Sequence, residues 1–88
     1  MLEPVEDIVI IAPALPRTAI ERLCPDLFMR GRVLAVGPGV IIRGKRIAPE
    51  VKVNDIVHLM RGKSIEAIFD QDRVWITRER ELIAVEHD

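Results

Sequence analysis

Tyrosine is missing from this 88-residue chain, and its aromatic residues amount to two phenylalanines and one tryptophan. Proteins that bind single-stranded nucleic acid stack bases on aromatic side chains in basic grooves, whereas this chain has 13 Lys and Arg against 14 Asp and Glu. The composition therefore argues against binding of nucleic acid. The basic cluster at residues 43–46 is a local exception, and a solvated hairpin tip explains it more simply.

Cysteine and long apolar runs are also scarce. One cysteine, Cys24, excludes an internal disulfide, and no apolar run approaches the ~20 residues of a membrane-spanning helix. The first residues are acidic where a targeting segment would be basic. We therefore expect a cytoplasmic protein without membrane contact. Its length predicts one domain over residues 1–88, with a single core and no separate cofactor domain.

Residues suited to catalysis or metal binding are few. Ser64 is the only serine, and the histidines, His58 and His87, share no metal-ligand spacing with Cys24. The sequence Gly62-Lys63-Ser64 imitates a phosphate-binding loop but lacks the glycine that this motif places five residues earlier. The sequence therefore predicts no enzyme, no metal site and no cofactor.

Twelve isoleucines and ten valines make up a quarter of the chain, and β-branched side chains of this kind favour strands. Apolar runs bounded by Gly, Pro, Asn or Asp predict strands at residues 7–11, 32–36, 40–42, 45–47, 56–60, 65–69, 74–77 and 82–85, while residues 51–53 alternate as a strand would. The alternating charges of residues 78–81 indicate a solvated turn or edge. Short strands with frequent turns predict an all-β fold, either a small barrel or a sandwich.

Residues 12–29 separate the first two predicted strands and contain three prolines. Loops of this length are usually functional or disordered, so this long loop is the first candidate for function. The alternative is a short helix after Pro16, with Thr18 as its N-cap and Glu21 completing a capping box.

Several ordered segments of the chain resemble the GroES-type co-chaperonins, the lids of barrel-shaped chaperonins. These segments are DIVI (7–10), RGRVLAVG (30–37), VKVNDIV (51–57), VWIT (74–77) and LIAV (82–85). The resemblance implies a small irregular GroES-like β-barrel that assembles into a homoheptamer, with the first and last strands joining neighbouring subunits. The implied subunit interface consists of Ile8, Val9, Ile10, Leu82, Ile83, Ala84 and Val85.

The resemblance also implies a mobile loop at about residues 12–29 and a roof hairpin at about residues 39–48, with Ile42, Arg43, Gly44 and Lys45 at the tip. Counting back from Arg30 places the chaperonin-binding residues at Thr18, Ala19 and Ile20, with Leu23 nearby. A second, more apolar candidate for the anchor is the sequence Leu27-Phe28-Met29. The loop is shorter than the family's and contains no glycine.

The function implied by the resemblance is that of a co-chaperonin, which caps a GroEL-type chaperonin ring in a nucleotide-dependent manner and assists protein folding. ATP would be bound and hydrolysed by the chaperonin rather than by this chain. The chain would act in a bacterial cytoplasm, or in a host cytoplasm if it is virus-encoded. The alternative is a β-barrel adaptor or assembly subunit that binds another protein through the same loop.

Overall fold

The computed structural model describes residues 3–15 and 27–86 of the chain. The strands are β1 (Ile8–Pro13), β2 (Phe28–Val36), β3 (Val40–Ile42), β4 (Lys45–Ile47), β5 (Ile56–Met60), β6 (Ile65–Phe69), β7 (Asp72–Arg78) and β8 (Leu82–Glu86). A 3-10 helix, Glu79–Glu81, separates β7 from β8, and the described ranges contain no α-helix. The prediction of an all-β fold is confirmed.

Six strands form one antiparallel sheet in the order β6-β7-β1-β2-β5-β8, and β3 and β4 form a separate two-stranded sheet. Strand β1 lies inside the large sheet, between β2 and β7. Its side chains are buried on both faces, since Val9 and Ile11 have no exposed surface and Ile10, on the opposite face, is also buried. An uninterrupted run of Ile and Val is typical of a strand covered on both sides.

The inner face of the sheet surrounds a single hydrophobic core. The side chains without exposed surface are Val9, Ile11, Val33, Val57 and Leu59. Strands β7 and β8 complete the cluster with Trp75, Leu82 and Val85. Because five strands of one sheet contribute to the same core, the sheet curls into a small irregular barrel. Each buried side chain of this size contributes roughly 1.5–3 kcal/mol to stability.

The 3-10 helix Glu79–Glu81 joins β7 directly to β8 and forms a corner on one side of the barrel. The carboxylate of Glu79 fixes this corner by accepting hydrogen bonds from the backbone N–H groups of Glu50, at 2.6 Å, and Val51, at 3.2 Å. The N–H of Glu79 donates to the carbonyl of Asp7 at 2.9 Å. Glu79 is therefore structural, in contrast to the solvated turn expected from its alternating charges.

Gly31 occupies a position of β2 where the sheet leaves no room for a side chain. A Cβ atom there would lie 2.2 Å from Cγ2 of Ile11 and 2.8 Å from the carbonyl oxygen of Ala12. Gly31 pairs with Pro13, just beyond an irregularity in the β1–β2 register. The glycine of the segment RGRVLAVG thus allows β1 and β2 to approach each other closely.

The hairpin of β3 and β4 is confirmed at the predicted residues. Its turn consists of Arg43, with φ 52°, and Gly44, with φ 77°, which is the backbone geometry of a type I′ turn. Arg43 adopts this left-handed conformation although arginine is uncommon there. The four tip residues Ile42, Arg43, Gly44 and Lys45 are all exposed.

The structure corrects two expectations from the sequence. Residues 51–53 are not a strand, because the chain turns at Asn54, with φ 78°, and hydrogen bonds through Asn54 and Asp55 tie this turn to Val33 of β2. The long loop is also shorter than residues 12–29, since Pro13 pairs with Gly31 and Phe28 pairs with Met60.

Candidate functional site

The segment predicted to bind a chaperonin leaves the barrel at two points that are hydrogen-bonded to it. On one side, the N–H of Ala14 donates to the carbonyl of Arg30 at 2.9 Å. On the other, the carbonyl of Leu27 accepts from the N–H of Arg61 at 2.7 Å. Residues 14 and 27 are therefore held by the barrel.

Four predicted chaperonin-binding residues, Thr18, Ala19, Ile20 and Leu23, lie outside the described residues, as does the alternative short helix. The second candidate anchor is partly described. Met29 is buried in the core, whereas Leu27 is 52% exposed. Phe28 begins β2 and is half-buried.

A cluster of charged side chains lies beside the first of these two points. Arg30 donates from Nε to Oε2 of Glu86 at 2.5 Å and from Nη1 to the carbonyl of Leu15 at 2.9 Å. Nε2 of His58 lies 3.0 Å from the same carboxylate oxygen. The cluster therefore connects β2, β5 and the end of β8 to residue 15, next to the predicted docking segment.

The carboxyl group of Glu86 is held in its charged form by this cluster. The hydrogen bond from Arg30 is the largest cause, and it lowers the pKa of Glu86 below its ordinary value. Partial burial opposes the shift, and the contact with His58 adds to it. Charge-assisted hydrogen bonds of this kind are stronger than neutral ones, so the ionised Glu86 fastens the last strand to β2.

Sequence reasoning did not identify this cluster. In the sequence, Arg30 belongs to a family segment and His58 lacks metal-ligand spacing, but nothing links either residue to Glu86. Arg30 and Glu86 are 56 residues apart in sequence, and His58 and Glu86 are 28 apart. No local pattern relates residues at these separations, and only the β2-β5-β8 order brings them together.

The predicted subunit-interface residues fall into two groups. In β1, the backbone of Ile8, Val9 and Ile10 is paired on both sides within the subunit. Val9 is 0% exposed, so its side chain is buried within its own subunit. The run of apolar residues in β1 reflects burial inside the barrel.

Strand β8 differs from β1 because β5 is its sole partner strand among the described residues, which leaves one edge open. Leu82 and Val85 pack against the core. Ala84 is exposed, and Ile83 is 51% exposed. An open groove of about 380 Å³ runs along the strand, lined by residues 82–85 together with Glu50, Val51, Glu79 and Arg80. This edge is available for contact with another chain.

The described residues contain neither a metal-binding cluster nor a membrane-spanning helix. They contain no group of three or more His, Cys, Asp and Glu side chains that could hold a metal ion. His58 is bonded to Glu86 rather than placed beside a nucleophile. Within the same residues, no helix is long and apolar enough to span a bilayer.

Comparison with known proteins identifies the family to which this small barrel, with its exposed hairpin and its open last strand, belongs. The model of the family described as the chaperonin 10 kDa subunit (Cpn10) matches residues 1–86. The chain therefore belongs to the Cpn10 family of co-chaperonins, which assist chaperonin-mediated protein folding and are not enzymes. The resemblance noted in the sequence is confirmed.

Relatives from several bacteria match almost the whole chain. It is 35% identical over 92 residues to the co-chaperonin GroES of Geobacillus thermodenitrificans, and the match covers 97% of this chain and 98% of the relative. Identity to the GroES of Geobacillus stearothermophilus is 36% with the same coverage. Identity to the GroES of Bifidobacterium animalis subsp. lactis is 37% over 94 residues, which cover 99% and 96% of the two chains.

Proposed function

We propose that this co-chaperonin is a seven-membered lid that caps a GroEL-type chaperonin ring in the cytoplasm when the chaperonin has bound nucleotide. The observation that carries the proposal is the family match over residues 1–86, because it spans the predicted docking segment, the hairpin and the last strand. The chain itself performs no chemistry, and ATP is bound and hydrolysed by the chaperonin.

Docking depends on apolar side chains of the predicted loop, with Thr18, Ala19, Ile20 and Leu23 as the contacting residues. Each large apolar side chain that is buried contributes roughly 1.5–3 kcal/mol, but ordering the backbone costs roughly 1–2 kcal/mol per residue. A single loop therefore binds weakly. Seven loops on one ring bind tightly together, because each docked loop raises the effective concentration of the others.

Release of the lid from the chaperonin follows from the same balance of free energies. A nucleotide-driven change that withdraws the chaperonin's grooves removes a small free energy at each of seven loops. The sum of these losses shifts the capped state strongly toward dissociation. The lid therefore responds to the partner's ATP cycle although it binds no nucleotide itself.

Ring closure uses the open edge of β8, where Ile83 and Ala84 are exposed. Because β1 is paired on both sides, we propose that the neighbouring subunit contributes residues that precede Ile8, among which Val5 is 67% exposed. Unpaired strand edges promote aggregation, and ring closure would cover this one. In the family's arrangement the hairpin tip, Ile42, Arg43, Gly44 and Lys45, would form the roof.

The proposal is tested by measuring ring size and chaperonin ATPase activity for two variants. Native mass spectrometry should show a closed ring of seven subunits for the wild type, and the ring should alter the ATPase rate of a GroEL-type chaperonin. Ile20→Ser combined with Leu23→Ser should leave the ring intact and abolish the effect on the ATPase. Ile83→Asp should dissociate the ring, because it places a charge at the proposed junction.

Ile42→Asp is the matched control for Ile83→Asp, since both isoleucines are about half exposed and Ile42 lies in the hairpin. This variant should keep the ring. A stable monomer at micromolar concentration for the wild type would exclude the lid. An intact ring that fails to affect any GroEL-type ATPase would favour the adaptor instead. Normal capping by the Ile20/Leu23 variant would show that the docking residues are placed wrongly.

A further inference from the structure

Strand β6 forms the second open edge of the large sheet. It pairs with β7 on one side, and no strand of the described ranges pairs with its other side. Its sequence, Ile65-Glu-Ala-Ile-Phe69, contains neither Lys nor Pro, the residues with which natural edge strands discourage pairing. Its one charged side chain, Glu66, is engaged by Arg73, with Nε 3.1 Å from Oε1.

The side chains of β6 extend an apolar surface on the outside of the barrel. The sheet register aligns Ile65 with Ile76 of β7 and Ile10 of β1, and it places Ala67 beside Val74. Ile65 is 70% exposed, and Ile68, on the opposite face, is 78% exposed. An apolar strand with a free edge can bind another β-strand, because the partner strand accepts and donates the unused backbone hydrogen bonds and covers the apolar side chains.

We propose that the partner is a second copy of this chain, and that two β6 strands pair antiparallel across a two-fold axis at Ala67. A two-fold axis perpendicular to the sheet keeps the outer face of both copies on the same side. One residue of the strand must therefore lie directly opposite its own copy, with the axis midway between the two, and the central positions are Glu66, Ala67 and Ile68. The contact is separate from the proposed ring, which uses β8.

Charge selects among these three registers, because like charges directly opposite each other destabilise strand pairs. An axis at residue 66 places Glu66 opposite Glu66 of the second copy, and an axis at residue 68 places Glu66 opposite Asp70. An axis at Ala67 avoids both conflicts. It pairs Ile65 with Phe69 and Glu66 with Ile68, and it lets the two strands overlap along their full length.

The charges beyond the two ends of β6 are complementary in the Ala67 register. Lys63 precedes the strand, whereas Asp70 and Asp72 follow its last apolar residues. None of these three side chains forms an ion pair with another described residue. The two-fold axis places Ser64 of one copy opposite Asp70 of the other, where the chain turns toward β7, and it brings the adjacent Lys63 close to that turn and to Asp72 behind it. Both ends of the contact would thus bring opposite charges together.

A charge exchange tests the contact in the full-length protein. Sedimentation velocity should show that the mass of the wild-type particle doubles as the concentration rises. The starting particle is the assembly that forms through β8, and the product contains two of these assemblies. Lys63→Glu should weaken this doubling at least tenfold in concentration, and so should Asp70→Lys combined with Asp72→Lys. The triple variant with all three changes should restore it. Absence of doubling in the wild type, or failure of the triple variant to recover it, overturns the proposal.

Disulfide formation tests the register in a Cys24→Ser background. Cysteine at position 67 faces its own copy across the axis and should link two chains under mild oxidation. Cysteine at position 68 is the control, because in the Ala67 register it lies diagonally from its copy, beyond the ~7 Å limit between Cα atoms for a disulfide. Preferential linkage at position 68 overturns the register. Since the ring depends on Ile83, loss of the ring with retained linkage at position 67 separates the two contacts.

Discussion

The barrel and the β3–β4 hairpin are built from the same kinds of residue, but they differ completely in burial. Strand β1 begins with Ile8-Val9-Ile10-Ile11, and β3 consists of Val40-Ile41-Ile42. The first run lies between two partner strands and is largely buried, whereas Ile41 and Ile42 are exposed, because β4 is the one strand of the described residues that pairs with theirs. Neighbouring strands, rather than apolar content, decide which run becomes core.

This difference predicts that the barrel carries the stability of the subunit and the hairpin adds little. Burial of apolar surface stabilises a fold roughly in proportion to the area covered, and no residue of β3 or β4 is buried. Substitutions in the two regions should therefore have effects of different size. Unfolding by guanidinium chloride, followed by the fluorescence of Trp75, measures them on one scale.

The largest effect is expected at Gly31. In Gly31→Val the new side chain meets Ile11 and the carbonyl of Ala12, and the backbone atom cannot move aside as a side chain can. Overpacking in a core typically costs about 1–3 kcal/mol and occasionally more, and because a backbone atom is involved we expect a cost beyond this range or a failure to fold. The measurement is the denaturant midpoint.

Gly44→Ala is the matched control in the hairpin. No atom lies within 4 Å of the position of its Cβ, but its φ of 77° is strained for alanine, at a cost of roughly 1–2 kcal/mol. This strain is local to the turn, so the barrel should unfold at the wild-type midpoint. Equal destabilisation by the two changes would mean that hairpin and barrel unfold as one unit.

An intermediate, pH-dependent effect is expected from Glu86. Its pKa is lowered in the folded protein, chiefly by the hydrogen bond from Arg30. The stabilisation is therefore complete above the ordinary pKa of the group, near 4.5, and is lost as the pH falls through the lowered value. Glu86→Gln should be less stable than the wild type at neutral pH, and the difference should shrink in acid.

Acid titration of the unfolding midpoint measures this dependence, and Glu50→Gln serves as the control. Glu50 uses its backbone N–H in the barrel corner, so changing its carboxylate should leave the wild-type pH profile unchanged. A constant difference between the wild type and Glu86→Gln at every pH would contradict the assigned role of the Glu86 charge.

The smallest effect is expected at the hairpin tip. Ile42→Ser removes a side chain that is 53% exposed, and surface substitutions away from special features usually change stability by less than about 0.5 kcal/mol. Leu59→Ala, in the core, should cost roughly 2–5 kcal/mol in the same assay. A loss at Ile42 comparable to that at Leu59 would show that the hairpin packs against the barrel in solution.

Sequence patterns predicted the structural features that depend on residues close together in the chain. The hairpin turn at Arg43 and Gly44 is predicted correctly because it lies between two short apolar runs. The long run in β1 correctly indicated a buried strand. Residues 51–53 alternate as a strand does, but tertiary hydrogen bonds to Val33 turn the chain there instead.

The remaining features depend on contacts between distant residues. The corner held by Glu79 requires Glu50 and Val51 to lie beside it, and the sequence gives no sign of this arrangement. Family resemblance identified the segment that contains Gly31, but the close approach of Ile11 that requires a glycine is visible only in the folded barrel. The order of the strands could not be predicted from the sequence, and it is this order that brings the groups together.

The position of β1 between β2 and β7 has a consequence for synthesis of the chain on the ribosome. Ile8 pairs with Arg78, so the first strand cannot acquire its second neighbour until nearly the whole polypeptide has been made. At about 5–20 residues per second, the interval between completion of β2 and completion of β7 lasts roughly 2–8 s. Throughout that interval β1, a strand of isoleucine and valine, can have at most one of its two partner strands. A protein that assists the folding of others thus has a vulnerable period of its own.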